Sequence, residues 1–225
     1  MSERKHPIVI GEYYHFYNRG VEKRKIFQDK QDYERFAFLL YICNTTKSIK
    51  LRDLGRQFDR GEIIVDIGAY CLMPNHFHIL IKEKQENGAS TYMRKVMTAY
   101  SMYFNKKYKR SGTLFEGAFK SSHCGGDSYL KYLYSYIHLN PAKIIDKNWK
   151  TSSGAQRGKL LEFVTNYKYS SLREYLNKPY IINPKPFPKY FTNANDHKRE
   201  LSDWLPDTNT QDFPAGLEGG PPPKF

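Results

Sequence analysis

The Pro74-Asn75 pair, set between two apolar stretches, constrains this chain more than any other feature. Upstream, residues 62–73 (Glu-Ile-Ile-Val-Asp-Ile-Gly-Ala-Tyr-Cys-Leu-Met) read as a mostly buried strand. Downstream, residues 76–82 read as a second strand. Pro-Asn signals a turn, so the two runs form an antiparallel hairpin. Side chains alternate along a strand, which puts His76 and His78 on one face and Phe77, Ile79 and Ile81 on the other. Two imidazoles so placed, next to a turn, can converge on one divalent metal within reach of a substrate.

The remaining segments complete a pattern around the hairpin. Residues 12–18 are aromatic-rich and end at Arg19-Gly20, a strand and turn. Tyr33, Phe36, Ala37, Leu40 and Tyr41 recur at helical spacing over 29–43, with Asp29 or Asp32 as the cap. Residues 44–60 are a polar connector. Residues 89–109 form a long amphipathic helix, 113–121 a further strand, and 127–140 a helix after Gly125-Gly126. The order is β-α-β-β-α-β plus one helix. It predicts an α+β, ferredoxin-like antiparallel sheet with helices on one face. Residues 1–178 read as a single domain. Prolines at 179, 184, 186, 188, 206, 214 and 221–223 make residues 179–225 a Pro-rich tail with little room for regular structure.

The last helix holds Tyr132-Leu133-Tyr134-Ser135-Tyr136-Ile137-His138-Leu139-Asn140-Pro141. Tyr136 and Asn140 share a helix face, at the margin of the stripe formed by Leu130, Leu133 and Ile137. Pro141 disfavours the helical region at Asn140 and so marks the helix end. A tyrosine phenolate can attack a phosphodiester and store the bond energy in a covalent link. The chain has 19 Tyr, however, and most must be packing. For His15, on the first strand, a satisfied core histidine is the stronger reading than one facing the site, and His123 and His138 have no better claim.

Charge points to the partner. The net charge of +13 suits polyphosphate, and Tyr and Phe interleaved with Lys and Arg suit unpaired bases. Arg94, Lys95, Lys106, Lys107, Lys109, Arg110 and Lys120 are the candidate DNA-binding residues; the alternative is a solvated helix end. Three cysteines, Cys43, Cys71 and Cys124, imply neither a disulfide framework nor a four-cysteine zinc site. The N-terminal residues are polar, and no run approaches the roughly 18 apolar residues of a membrane span. A soluble, cytoplasmic protein, nucleoid-associated when on DNA, is expected.

Taken together the motifs resemble the REP-associated tyrosine transposases, a branch of the single-tyrosine HUH transposases. The matching segments are Tyr14-His15-Phe16-Tyr17-Asn18-Arg19-Gly20, Ile26-Phe27 with Asp32-Tyr33-Glu34-Arg35-Phe36, and Tyr70-Cys71-Leu72-Met73-Pro74-Asn75-His76-Phe77-His78-Ile79-Leu80. They continue with 110–120, Tyr136-Ile137-His138-Leu139-Asn140-Pro141 and Tyr169-Ser170-Ser171, in family order across roughly 13–175. The resemblance implies His76 and His78 as metal ligands, Asn140 as the third ligand and Tyr136 as the nucleophile, with magnesium or manganese as the cofactor. It implies cutting of single-stranded DNA near hairpins through a 5′-phosphotyrosine link, and in many members a homodimer. Phe115, Glu116 and Ala118 depart from the family's Trp-Gln and Arg, which leaves the DNA sequence preference open. Other readings remain: a domesticated hairpin-binding regulator, a replication-initiator or relaxase-type nickase, or a zinc hydrolase completed by Cys71 or His123.

Overall fold

The computed structural model describes residues 7–48, 60–150, 156–191 and 193–205. Four strands form one antiparallel sheet: β1 (Tyr13–Arg19), β2 (Val65–Met73), β3 (His76–Glu83) and β4 (Lys120–His123). Their spatial order is β2-β3-β1-β4. With α1 (Lys30–Ile42) between β1 and β2 and α2 (Gly88–Lys107) between β3 and β4, this is the ferredoxin-like arrangement the element order predicts.

Strand alternation sorts the sheet into two faces. Tyr14 and Phe16 of β1 and Phe77, Ile79 and Ile81 of β3 join the aliphatic and aromatic residues of α1 and α2 in the main core. Asp29 caps α1 by accepting from the Asp32 amide at 3.1 Å, while the Asp32 carboxylate accepts from the Asp29 amide at 3.4 Å. The other face, with Leu80, Ala69 and Cys71, is covered by α3 (Asp127–Leu139) through Leu130, Leu133 and Ile137. The two connecting helices thus lie on one face and the extra helix on the other.

The register of β2 shifts between Ile67 and Ala69. That bulge reverses the alternation, so Ile67, Tyr70 and Leu72 face the main core while Ala69, Cys71 and Met73 face α3. Gly68 sits at the shift because a Cβ there would lie 2.6 Å from Phe187 and 2.8 Å from the Tyr134 hydroxyl.

Two expectations are corrected. The strand expected over 113–121 begins only at Lys120, because Leu114 and Phe115 drop into the core beside an isolated Gly20–Phe115 bridge and Gly117 turns the chain at φ 68°. Residues after 178 also carry regular structure: α7 (Ala194–Asp203). No proline falls between Pro188 and Pro206, and Asn193 caps this helix by accepting from the Asn195 and Asp196 amides. Residues 180–187 meanwhile run beside β2, where Ile181, Ile182 and Phe187 are buried and the Asn183 amide donates to Ile67 O at 2.9 Å.

Three further helices, α4 (Ala142–Ile145), α5 (Arg157–Asn166) and α6 (Leu172–Leu176), lie between α3 and α7. They form a small core from Leu139, Ala142, Leu160, Val164, Leu172 and Leu201. This cluster fixes the end of α3, where Tyr136 and Asn140 stand. Among the described residues no helix is long and apolar enough to cross a membrane.

Candidate active site

β3 delivers His76 and His78 to the face away from α1 and α2, with ring centres 5.0 Å apart and planes near perpendicular. α3 crosses that same face. Tyr136, beside its apolar stripe, is held with its ring centre 5.4 Å from that of His78. The hairpin and the tyrosine helix, read separately in the sequence, therefore meet.

A histidine from a third element joins them. His15 of β1 is fully buried, and its Nε2 lies 2.8 Å from His78 Nδ1. Its ring centre is 6.1 Å from that of Tyr136. His76 Nδ1 lies 2.7 Å from Asn75 Oδ1.

Burial pushes His76 down to about 3, with the cations of Lys143 and Arg19 adding to the shift. Burial, then the neighbouring His15 and His76, hold His78 well below the usual histidine range. Both rings are neutral near pH 7 and keep the lone pair that metal binding requires. Burial raises the Tyr136 phenol far above its ordinary value; Tyr132 adds to this and the Asn140 side chain opposes it.

α3 ends at Leu139 with Asn140 as its C-cap, as Pro141 suggests, but the Asn140 backbone stays in the helical region. Its φ of −51° and ψ of −39° are helical, and Pro141 then serves as the N-cap of α4. Asn140 Nδ2 donates to Tyr136 O at 2.8 Å, and its Oδ1 accepts from Lys143 Nζ at 3.2 Å. Lys143 Nζ also lies 5.6 Å from the Tyr136 ring centre. Arg19, at the end of β1 opposite His76, is paired with Glu116 at 2.6 Å.

The donor set fits one divalent ion. A ring centre lies ~3.2 Å from a metal bound at about 2.1 Å, so two rings sharing an ion have centres within ~6.4 Å of each other. The 5.0 Å between His76 and His78 satisfies that limit. Asn140 carries the third candidate donor, an amide oxygen that accepts from Lys143 Nζ at 3.2 Å. Cys71 lies opposite His78, but burial raises its thiol far above the usual range, so it offers no thiolate. His123 pairs with Tyr14 in register, on the other face, and contacts Glu12 at 2.9 Å. Among the described residues no three His, Cys, Asp or Glu side chains gather as a metal-binding group, which the zinc reading requires.

The candidate DNA-binding residues separate. Lys120 stands opposite Tyr17 on β4, exposed on the histidine face. Arg94, Lys95, Lys106 and Lys107 belong to α2, in the layer behind the sheet, with Lys109 and Arg110 just past its end. Lys95 Nζ donates to Thr45 O at 2.7 Å, and Lys107 Nζ bonds Asp29 and Asp32, both at 2.7 Å. Arg94, Lys106 and Lys109 are exposed. Arg110 lines a cleft of about 480 Å³ with Arg24, Lys25, Gln28, Glu22 and Phe104.

Sequence reasoning missed Lys143, Arg19 and Asn75, and favoured a satisfied core histidine at His15, which is buried but on the face of the site, against His78. Lys143 follows Tyr136 by seven residues and Asn140 by three, a helical spacing that carries across the junction of α3 and α4 because Asn140 and Pro141 both keep helical φ and ψ. Arg19 falls on the face of His15 and Tyr17 by strand alternation.

Comparison with known proteins identifies the family and the fold. The sequence pattern of the family described as "Transposase IS200 like" matches residues 9–140, which span every strand, α1, α2, α3 and all the residues of the site except Lys143. No curated protein matches the chain. Among solved structures, one described as a REP-associated tyrosine transposase bound to a REP hairpin superposes with a TM-score of 0.51 at 13% identity. The match covers 86% of this chain and 93% of that one, and shows a shared fold. On the family match over more than half its length, with the ferredoxin-like sheet beneath it, the chain belongs to the IS200-like transposase family.

Proposed function

We propose that this transposase nicks and rejoins hairpin-containing single-stranded DNA through a covalent link on Tyr136. One observation carries the reading: α3 holds the Tyr136 ring 5.4 Å from His78, over the paired imidazoles. The phenolic oxygen attacks phosphorus, the bond to the 3′ oxygen breaks, and a 5′-phosphotyrosine and a free 3′-hydroxyl result. The phenol's proton passes to solvent and the departing oxygen gains one. Attack by a 3′-hydroxyl on the phosphotyrosine reverses the exchange and joins strands.

His76, His78 and Asn140 are the residues that would hold magnesium or manganese. The bound ion would polarise the phosphate and offset charge on the departing oxygen. A raised phenol pKa leaves almost no phenolate near neutral pH, so Tyr136 depends on cations around it. Lys143 places its ammonium beside the Tyr136 ring, and Arg19 lies on the same side of the sheet with its charge largely balanced by Glu116. Lys120 would follow the strand near the site, and Arg94, Lys106, Lys109 and Arg110 the hairpin backbone. Lys95 and Lys107 bond to the protein itself and are assigned to holding α2 against α1. The neighbouring structure's REP hairpin supports hairpin DNA as the partner.

The test is a denaturing gel of labelled hairpin DNA with single-stranded flanks, incubated with protein and Mn²⁺. The wild type should give a covalent adduct, and Tyr136→Phe none. His76→Ala should slow adduct formation by roughly 10²–10³-fold. Hairpin binding without any adduct would replace this reading with that of a regulator.

A further inference from the structure

We infer that Asn75 is a positioning residue: its side-chain carbonyl fixes the proton of His76 on Nδ1 and so presents the Nε2 lone pair to the ion. The inference rests on the proposed role of His76 as a ligand. Asn75 Oδ1 lies 2.7 Å from His76 Nδ1. An amide oxygen only accepts, so the ring nitrogen must donate. The orientation of the amide is itself determined by its other end, because Asn75 Nδ2 donates to Lys23 O at 3.3 Å. A flipped amide would set oxygen against the Lys23 carbonyl.

The loop over residues 20–27 exists in the shape this contact needs. Glu22 and Lys23 both adopt positive φ, 57° and 59°, a region costly for residues with a Cβ. The loop wraps the hairpin turn: the Gly20 amide donates to Asn75 O at 2.8 Å, and the Ile26 and Phe27 amides donate to Pro74 O at 2.9 and 3.1 Å. The left-handed turn aims Lys23 O at the Asn75 amide.

His78 is a contrasting case within the same site. Its partner at Nδ1 is the Nε2 of His15, another imidazole, which can donate or accept. Geometry alone therefore fixes the tautomer of His76 and not that of His78. The partner that orients a ligating ring is commonly worth about 10–100-fold in metal affinity.

The experiment uses imidazole ¹⁵N NMR of the metal-free full chain and Mn²⁺ titration of the same samples. In the wild type, His76 should show a protonated Nδ1 and a pyridine-like Nε2. Asn75→Leu should lose that pattern and bind Mn²⁺ at least about tenfold more weakly. Asn75→Asp loses the bond to Lys23 O but keeps an oxygen that accepts from His76 Nδ1, and should recover the Nδ1-protonated pattern, which a merely structural role of the turn would not explain. A pyridine-like Nδ1 on His76 in the wild type, or an unchanged tautomer in Asn75→Leu, overturns the inference. Absence of Mn²⁺ binding by a wild type with the expected tautomer overturns the metal reading and leaves the Asn75 contact standing.

Discussion

At Asn140 the carboxamide is held at both ends, by Tyr136 O and by Lys143 Nζ. The oxygen assigned to the metal is therefore already paired with an ammonium. Lys143 and the ion compete for that oxygen and repel each other. Burial lowers the Lys143 ammonium, which shows that its charge is already costly in this setting. Lys143→Met should consequently tighten Mn²⁺ binding by roughly fivefold, on the order of 1 kcal/mol for one like charge removed from a partly buried site. The same variant should slow DNA cleavage, since it removes a cation from above the Tyr136 ring. Calorimetric titration and single-turnover cleavage check the two halves. Weaker Mn²⁺ binding in Lys143→Met would contradict the competition.

Among the elements, α7 joins the molecule through a chain of buried polar groups. His197 Nε2 lies 3.1 Å from His138 Nδ1, and His138 Nε2 lies 2.8 Å from Ser171 Oγ, which accepts from the Tyr70 amide of β2. Burial pushes His197 down to about 4 and His138 well below the usual range. Both histidines are neutral in the folded state and take up protons on unfolding. Their contribution is complete above pH 6.5 and is lost as pH falls toward 4, at about 1.4 kcal/mol per pH unit for each group. Protection factors in α7 should fall between pH 7 and pH 5, and by more than those in α1, which carries no histidine. Equal protection factors at the two pH values would refute this coupling. The sequence signalled little of the arrangement. His76 and His78 could be paired from the sequence because a strand's two-residue period fixes which side chains share a face. The contact of His15 with His78 spans 63 positions of sequence and depends on the β1–β3 register, which no local pattern encodes. α7 was hidden by the prolines around it, and Lys143 by Pro141, which ends α3 as expected but directly caps α4, where Ala142 packs beside Leu139 in the small core.

Over the whole molecule, a sheet separates two tasks. The layer of α1 and α2 holds the main core and exposes Arg94, Lys106 and Lys109, while the layer of α3 bears Tyr136 against the histidine pair. The family match and the shared fold place the chain among the IS200-like transposases. The central claim is that Tyr136 makes the covalent link. The tryptic peptide 132–143 contains Tyr132, Tyr134 and Tyr136, so a gel shift alone does not distinguish them. Tyr134 is buried at 2% exposure and Tyr132 packs edge-on against Trp204 with ring centres 5.0 Å apart, whereas Tyr136 alone of the three has both the imidazole pair and Lys143 beside it. Fragmentation mass spectrometry of the nuclease-trimmed adduct decides the point most directly. The account predicts a nucleotide remnant on Tyr136, and a remnant on Tyr132, Tyr134 or any other side chain would contradict it.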